Sequence, residues 1–226
     1  MNIRFPLIVS AVLIAAMVAA GAYVWTLLPP HALVPVHWDI AGKTDRYAEK
    51  SFALFYLPAT LAALSALFAW LPRLEPRRSN LLSSGKFYRA TWIGLALLLA
   101  AVHAAALAAA LRLPVNIGIV VVVAVALLFA VIGNYLGKTR SNFFAGVRTP
   151  WTLASDYSWE RTHRLAGRLF ILSSAASLAT MIATTTKAAL IVLVGLILAS
   201  SLAAVVMSYV YWARDPDRSP GNGATR

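Results

Sequence analysis

Four side chains between residues 31 and 45 carry groups that can ligate a divalent metal: His31, His37, Asp39 and Asp45. His37 and Asp39 share one face if their segment is extended, because side chains two apart on a strand point the same way. The spacing follows no metal-site signature, so three uses stay open. They are a metal centre on His37 and Asp39, a loop held by its own hydrogen bonds, and a peptide-recognition surface that also uses Trp38, Gly42 and Asp45. A third histidine, His103, lies deep in an apolar run. A titratable group in hydrocarbon is costly and marks proton or ligand work unless it simply hydrogen-bonds a neighbouring helix.

The second concentration of polar, aromatic and basic residues runs from Ile132 to Gly167. Asn134, Asn142, Arg148, Trp151, Trp159 and His163 could line a polar pocket there, with Thr149 and Pro150 shaping its wall. The alternative is an anchoring role, with Trp151 and Trp159 at the lipid headgroups beside basic residues. Gly133 and Gly137 form a small-xxx-small pair that permits close helix approach. The run Gly133 to Thr139 imitates a phosphate loop but has one residue too few between its glycines and no preceding strand.

No nucleophile elbow, zinc-protease helix or pair of carboxylates within an apolar run occurs, so the sequence predicts neither an enzyme nor a cofactor. The carboxylates lie in connections and the tail, which also argues against ion-coupled transport.

These residues are positioned by a hydrophobic chain. Of 226 residues, 60% are hydrophobic, and the mean hydropathy is +0.73, too apolar for a water-soluble globule of this size. The net charge of +12 sits mainly between apolar blocks rather than on one soluble face, so it reads as a topology signal and not as nucleic-acid binding. Cysteine is absent, which excludes disulfides and thiol chemistry.

Six runs are long enough to cross about 30 Å of hydrocarbon: 5 to 28, 51 to 71, 91 to 111, 115 to 136, 168 to 186 and 188 to 212. The expected fold class is an all-α polytopic membrane protein. The last two runs meet at Thr184 to Lys187, where a single long broken helix is the competing reading. The first run outlasts a secretory h-region and ends in Tyr23 and Trp25, so an uncleaved helix is expected.

Fifteen of the 20 Lys and Arg residues fall in connections on one side, which places both termini in the cytoplasm. On that reading the 28 to 47 segment is an ordered extracytoplasmic loop with a turn at Gly42. Thr149 is expected to be extended before Pro150, and Ser155 to cap an interfacial helix carrying Trp159, Thr162, His163 and Ala166 on one face. Glu160 and Arg164 can pair across one turn. The organisation expected is an N-terminal helix pair with its loop over 1–71, a four-helix region over 72–213 and a disordered tail over 214–226.

The stretch Ile132-Gly133-Asn134-Tyr135, Lys138, Asn142-Phe143, Gly146, Arg148-Thr149-Pro150-Trp151-Thr152 and Trp159 to His163 resembles the hallmark region of the SdpI family of bacterial multi-pass immunity proteins. The Pro35-x-His37-Trp38 to Gly42-x-x-Asp45 loop is similar to the small uncharacterised domain that commonly precedes it. The resemblance implies a six-helix protein of the cytoplasmic membrane that protects against a secreted, membrane-active peptide toxin. In some settings such a protein passes the toxin's presence to a transcriptional repressor; here that would take a separate cytoplasmic partner. The readings carried forward are an immunity or receptor protein and, as the alternative, a small transporter or proton-linked channel using His103.

Overall fold

The computed structural model describes residues 2–217. Six helices among them are long and apolar enough to cross a membrane: α1 (Arg4–Leu27), α2 (Lys50–Leu74), α4 (Gly85–Ala110), α5 (Ile117–Leu136), α7 (Asp156–Ala183) and α8 (Thr186–Ala213). In hydrocarbon a backbone must satisfy its own polar groups, and these runs do so as helices. Between them lie β1 (Leu33–Trp38), β2 (Thr44–Glu49) and two short helices, α3 (Arg78–Ser83) and α6 (Pro150–Ala154). The protein is a multi-pass α-helical membrane protein.

Alternation of the spans defines two ends. The loop end carries the terminal ends of α1 and α8, with α3, α6 and the connection 137–149. The hairpin end carries β1 and β2, the α4–α5 turn and the α7–α8 turn. Helices α1, α2 and α4 pack together, as do α5, α7 and α8, and the packing of α4 on α5 joins the two groups. Met17, Leu57, Leu61 and Ala96 fill the first group, and Leu136, Ala166, Phe170 and Ala204 the second.

Local chemistry sets the boundaries. The side chains of Asn116, Ser155 and Thr185 accept from Ile119, Ser158 and Ala188 backbone N–H groups, capping α5, α7 and α8. With Thr184 closing α7 and Thr185 capping α8, the chain must reverse, and the two helices pack side by side along their length. The single broken helix is thereby excluded. The fifth span starts earlier than 168: the expected interfacial helix and the span are one continuous α7, because Ser155 caps the chain at Asp156 and nothing interrupts it before Thr184.

The segment expected as a loop is a β-hairpin. Leu33 pairs with Glu49 and Trp38 with Thr44, with irregularities around His37. Its turn is set by Gly42, whose φ of +79° is readily adopted only by glycine, and is closed by Asp39 N–H to the Lys43 carbonyl at 2.8 Å. The tail expected to be disordered begins in contact: the Ser155 hydroxyl donates to the Asp215 carboxylate. Its remainder, 218–226, lies outside the described residues.

Candidate functional site

At the loop end the chain after α5 folds back into the bundle. Glu75, only 4% exposed, accepts from the Arg77 and Phe143 backbone N–H groups at 2.9 and 3.0 Å. Arg77 donates to the Ser141 hydroxyl and to the Leu153 carbonyl at 3.1 Å, and Asn80 donates to the Ser141 carbonyl at 2.8 Å. These bonds fasten the 137–149 segment to the chain around α3. Asn142 is fully buried and organises the turn from within: its amide donates to the Arg140 carbonyl, while Oδ1 accepts from the Phe144 and Ala145 N–H groups.

His163 and Trp159 form the centre. The rings stack with centroids 4.0 Å apart, and the indole N–H donates to the Thr139 carbonyl at 3.1 Å. A carbonyl only accepts, so His163 Nδ1 carries a proton and donates it to the Trp159 carbonyl at 2.6 Å. The Val147 N–H donates to Nε2 at 2.8 Å, so that nitrogen is an acceptor. The ring is therefore neutral, of fixed tautomer and committed at both nitrogens. Gly146 lies against it with φ +111°. A Cβ there would stand 2.2 Å from Nε2.

Thr149 and Thr152 form a capping box over Pro150–Ala154, with Thr149 extended before the proline. The Thr149 and Ser208 hydroxyls lie 2.9 Å apart, and Ser158 donates to the Ser208 carbonyl at 2.7 Å, so α6, α7 and α8 are tied at one level. Gly133 and Gly167 face each other where α5 crosses α7, and Gly137 sits against Arg164.

The six residues expected to line a polar pocket thus separate. Asn142, Trp159 and His163 come together as a filled, hydrogen-bonded plug, and Arg148 borders it, donating to the Phe143 carbonyl at 2.6 Å. Trp151 packs edge-on to Tyr209. Asn134 is exposed on α5. Trp159, at 2% exposed, is interior and anchors no headgroup. Glu160 and Arg164 pair across a turn, as their spacing predicts. Sequence reasoning missed Glu75, Arg77, Asn80 and Ser141. A lone carboxylate amid Arg73, Arg77 and Arg78 was the available signal.

The Arg148 contact yields a prediction. Arg148→Ala should loosen the 143–148 turn and cost about 1 kcal/mol, because an exposed guanidinium on one carbonyl is a modest tie. Thermal denaturation in detergent checks this; an unchanged midpoint would make Arg148 a topology charge alone.

At the hairpin end a cavity of about 440 Å³ lies between residues 36–42 and the ends of α2, α4, α5 and α8. Tyr56, Val102, Val121 and Leu190 give it an apolar wall, and Asn116, Thr186 and Lys187 a polar one. His37 donates from Nδ1 to Asp45 at 2.6 Å, not toward Asp39. Asp39 Oδ1 accepts the Ala41 and Lys43 N–H groups, both at 2.8 Å. Both weak metal candidates are therefore engaged in hairpin hydrogen bonds, and among the described residues no three His, Asp or Glu side chains cluster as a metal site. Lys50 fixes the hairpin's exit, its ammonium 4.3 Å from the Trp25 ring centre.

His103 is 2% exposed and donates from Nε2 to the Met17 carbonyl at 3.2 Å, linking α4 to α1; its Nδ1 has no partner among the described residues.

An α-helical multi-pass membrane protein with a hairpin-covered cavity at one end and an internally bonded plug at the other is the class these features define. Residues 138–210 match the SdpI/YfhL protein family, and residues 12–62 match a domain of unknown function, DUF1648. The chain is thus similar to the SdpI/YfhL family within its C-terminal half, with a region similar to DUF1648 ahead of it. The first match spans the plug, α6, α7 and most of α8; the second spans most of α1, the hairpin and the first half of α2. No curated protein and no solved structure matches the chain.

Proposed function

We propose that this protein gives resistance to a secreted, membrane-active peptide toxin, without enzymatic chemistry, from the bacterial cytoplasmic membrane. The observation carrying this reading is the SdpI/YfhL region joined to a bundle with a mixed apolar and polar cavity at the hairpin end. The hairpin end faces outward, because most of the basic connections and both ends of the described chain lie at the loop end. His37, Trp38, Gly42 and Asp45 shape the outward surface that meets the peptide. Asn142, Arg148, Thr149, Pro150, Trp151, Trp159 and His163 hold the cytoplasmic end in one form, on which a transcriptional repressor can dock. Lipid is the constant partner; nucleic acid is not contacted directly.

Survival of a sensitive host against a panel of secreted antimicrobial peptides tests this, comparing wild type with His37→Ala and Arg148→Ala at matched membrane levels. Protection by wild type is expected, and its loss in His37→Ala assigns recognition to the hairpin. Protection against no peptide overturns the reading.

A second reading, transport, rests on the buried Nδ1 of His103, which has no partner among the described residues. It predicts proton or solute flux in liposomes that His103→Ala abolishes while the protein stays folded. Flux indistinguishable from empty liposomes would remove it.

A further inference from the structure

Arg161, Arg164 and Arg168 recur at helical spacing along α7, and all three are exposed. Ile171 and Leu172 continue the same exposed face toward the middle of the helix. Two of the arginines are met within the chain. Glu160 pairs with Arg164, and the Arg161 guanidinium carbon lies 4.9 Å from the Tyr157 ring centre. Arg168 has no ion pair or hydrogen bond among the described residues. The nearest acid along the helix, Glu160, is two turns away and already engaged.

Arg168 is also set deeper than the other cations. In the other spanning helices every Lys and Arg is among the first or last five residues, whereas Arg168 is the thirteenth of 28 in α7. From Ala183, where α7 closes at the hairpin end, it is only about 22 Å away, short of the roughly 30 Å of hydrocarbon. The crossing with α5 sets the same level independently. Gly167 stands against Gly133, about 5 Å inside the loop end of α5, a helix whose 20 residues just span the hydrocarbon. Arg168 therefore leaves α7 about one turn inside the hydrocarbon, on an exposed face. Helical side chains lean toward the N-terminus, here the loop end, so the guanidinium reaches back to headgroup depth beside Arg164.

No described group of the chain neutralises this cation, and the anion that a bilayer offers at headgroup depth is lipid phosphate, which a guanidinium fork matches. Three arginines against one carboxylate favour a headgroup of net negative charge over a zwitterionic one, whose own ammonium they repel. We infer that this face of α7 binds an anionic phospholipid, its phosphate on Arg168 and its chains on Ile171 and Leu172. The site does not depend on the peptide-directed function proposed above.

Native mass spectrometry of the full-length protein with equal amounts of phosphatidylglycerol and phosphatidylethanolamine in detergent tests this. Wild type is expected to retain phosphatidylglycerol at least about fivefold more. Arg168→Gln should lose that preference at an unchanged melting midpoint, and Arg168→Lys should keep part of it. Lys86→Gln removes the same charge from an exposed site at the loop end of α4 and should leave the preference intact. A phosphatidylglycerol with a diazirine in its acyl chain should crosslink to residues 168–175 of wild type. Equal retention of the two lipids overturns the inference, as does an undiminished preference in Arg168→Gln. An equal loss in Lys86→Gln assigns the preference to diffuse charge, and crosslinks confined to other helices place the lipid elsewhere; either result overturns it. Lipid-free dimers that Arg168→Gln dissolves assign the face to a second copy and overturn it too.

Discussion

Gly146→Ala is expected to detach the 138–149 segment from α7 and to lower stability by about 3 kcal/mol, more than any other single-methyl change at the loop end. Two costs coincide there. The φ of +111° is open to glycine and strained for alanine. The added Cβ would also stand 2.2 Å from His163 Nε2, the atom that accepts the Val147 N–H. His163 cannot yield by rotating, since its other nitrogen is bonded to the Trp159 carbonyl and its ring is stacked on Trp159. Relieving the clash therefore breaks the Val147 bond and leaves a partly buried donor unmet.

Hydrogen exchange over 138–149 checks the local effect, and thermal denaturation in detergent its size. Two controls separate the causes. Gly42→Ala carries positive φ with nothing within 4 Å of its new methyl, so it pays strain alone, about 1 kcal/mol. Gly195→Ala has neither problem and should lie within about 1 kcal/mol of wild type. If Gly146→Ala behaves like Gly42→Ala, the His163 contact contributes nothing. A double variant with His163→Ala should be less damaged than the sum of the two single changes, because both break the same bond.

The second large effect is expected at the α5–α7 crossing. A Cβ on Gly133 would lie 2.5 Å from the Gly167 carbonyl oxygen, and one on Gly167 would lie 2.5 Å from that of Gly133. The obstructing atoms are backbone, so no rotamer change relieves them. In a bilayer, helices associate by close packing rather than by escape from water, and a pair forced apart loses that packing along its length. Gly133→Val should cost about 3 kcal/mol, toward or beyond the upper range for overpacking, and should loosen the plug, since α7 carries Trp159 and His163. Urea or SDS titration in bicelles measures the loss. A shift of less than about 1 kcal/mol would mean that the two helices re-pack around the larger side chain.

The reading of the chain as six spans follows from uninterrupted apolar runs, because hydrocarbon leaves a backbone no alternative to helix over that length. The helix start at Asp156, the extended Thr149 and the Glu160–Arg164 pair were equally legible, since caps, pre-proline restriction and one-turn pairs act within a few residues. Gly133 and Gly137 announced a close helix approach. That Gly167 is the opposing surface depends on how α7 is rotated, which no local pattern states.

The hairpin was hidden for another reason. Pro29, Pro30 and Pro35 and an irregular alternation mask strand periodicity over 33–38, and β2 is almost wholly polar. Its pairing is decided by Gly42 and by Asp39 closing the turn, together with the fixed ends of α1 and α2. His37 and Asp39 sat two apart, as metal ligands on a strand can, yet folding gave His37 to Asp45 across the turn.

Sequence alone determined the membrane class, the number of spans, the side on which basic charge gathers and the two stretches where polar residues collect. Those properties are sums over contiguous residues, and the bilayer reads them without reference to the rest of the chain. Tertiary structure alone decided that Asn142, Trp159 and His163 form a closed plug while Asn134 faces away. It also decided that Glu75 and Arg77, more than sixty residues earlier, hold that plug in place, and that the hairpin borders a cavity lined by four helices. Those arrangements depend on directional hydrogen bonds between distant segments, and their partners are set only when the helices have packed.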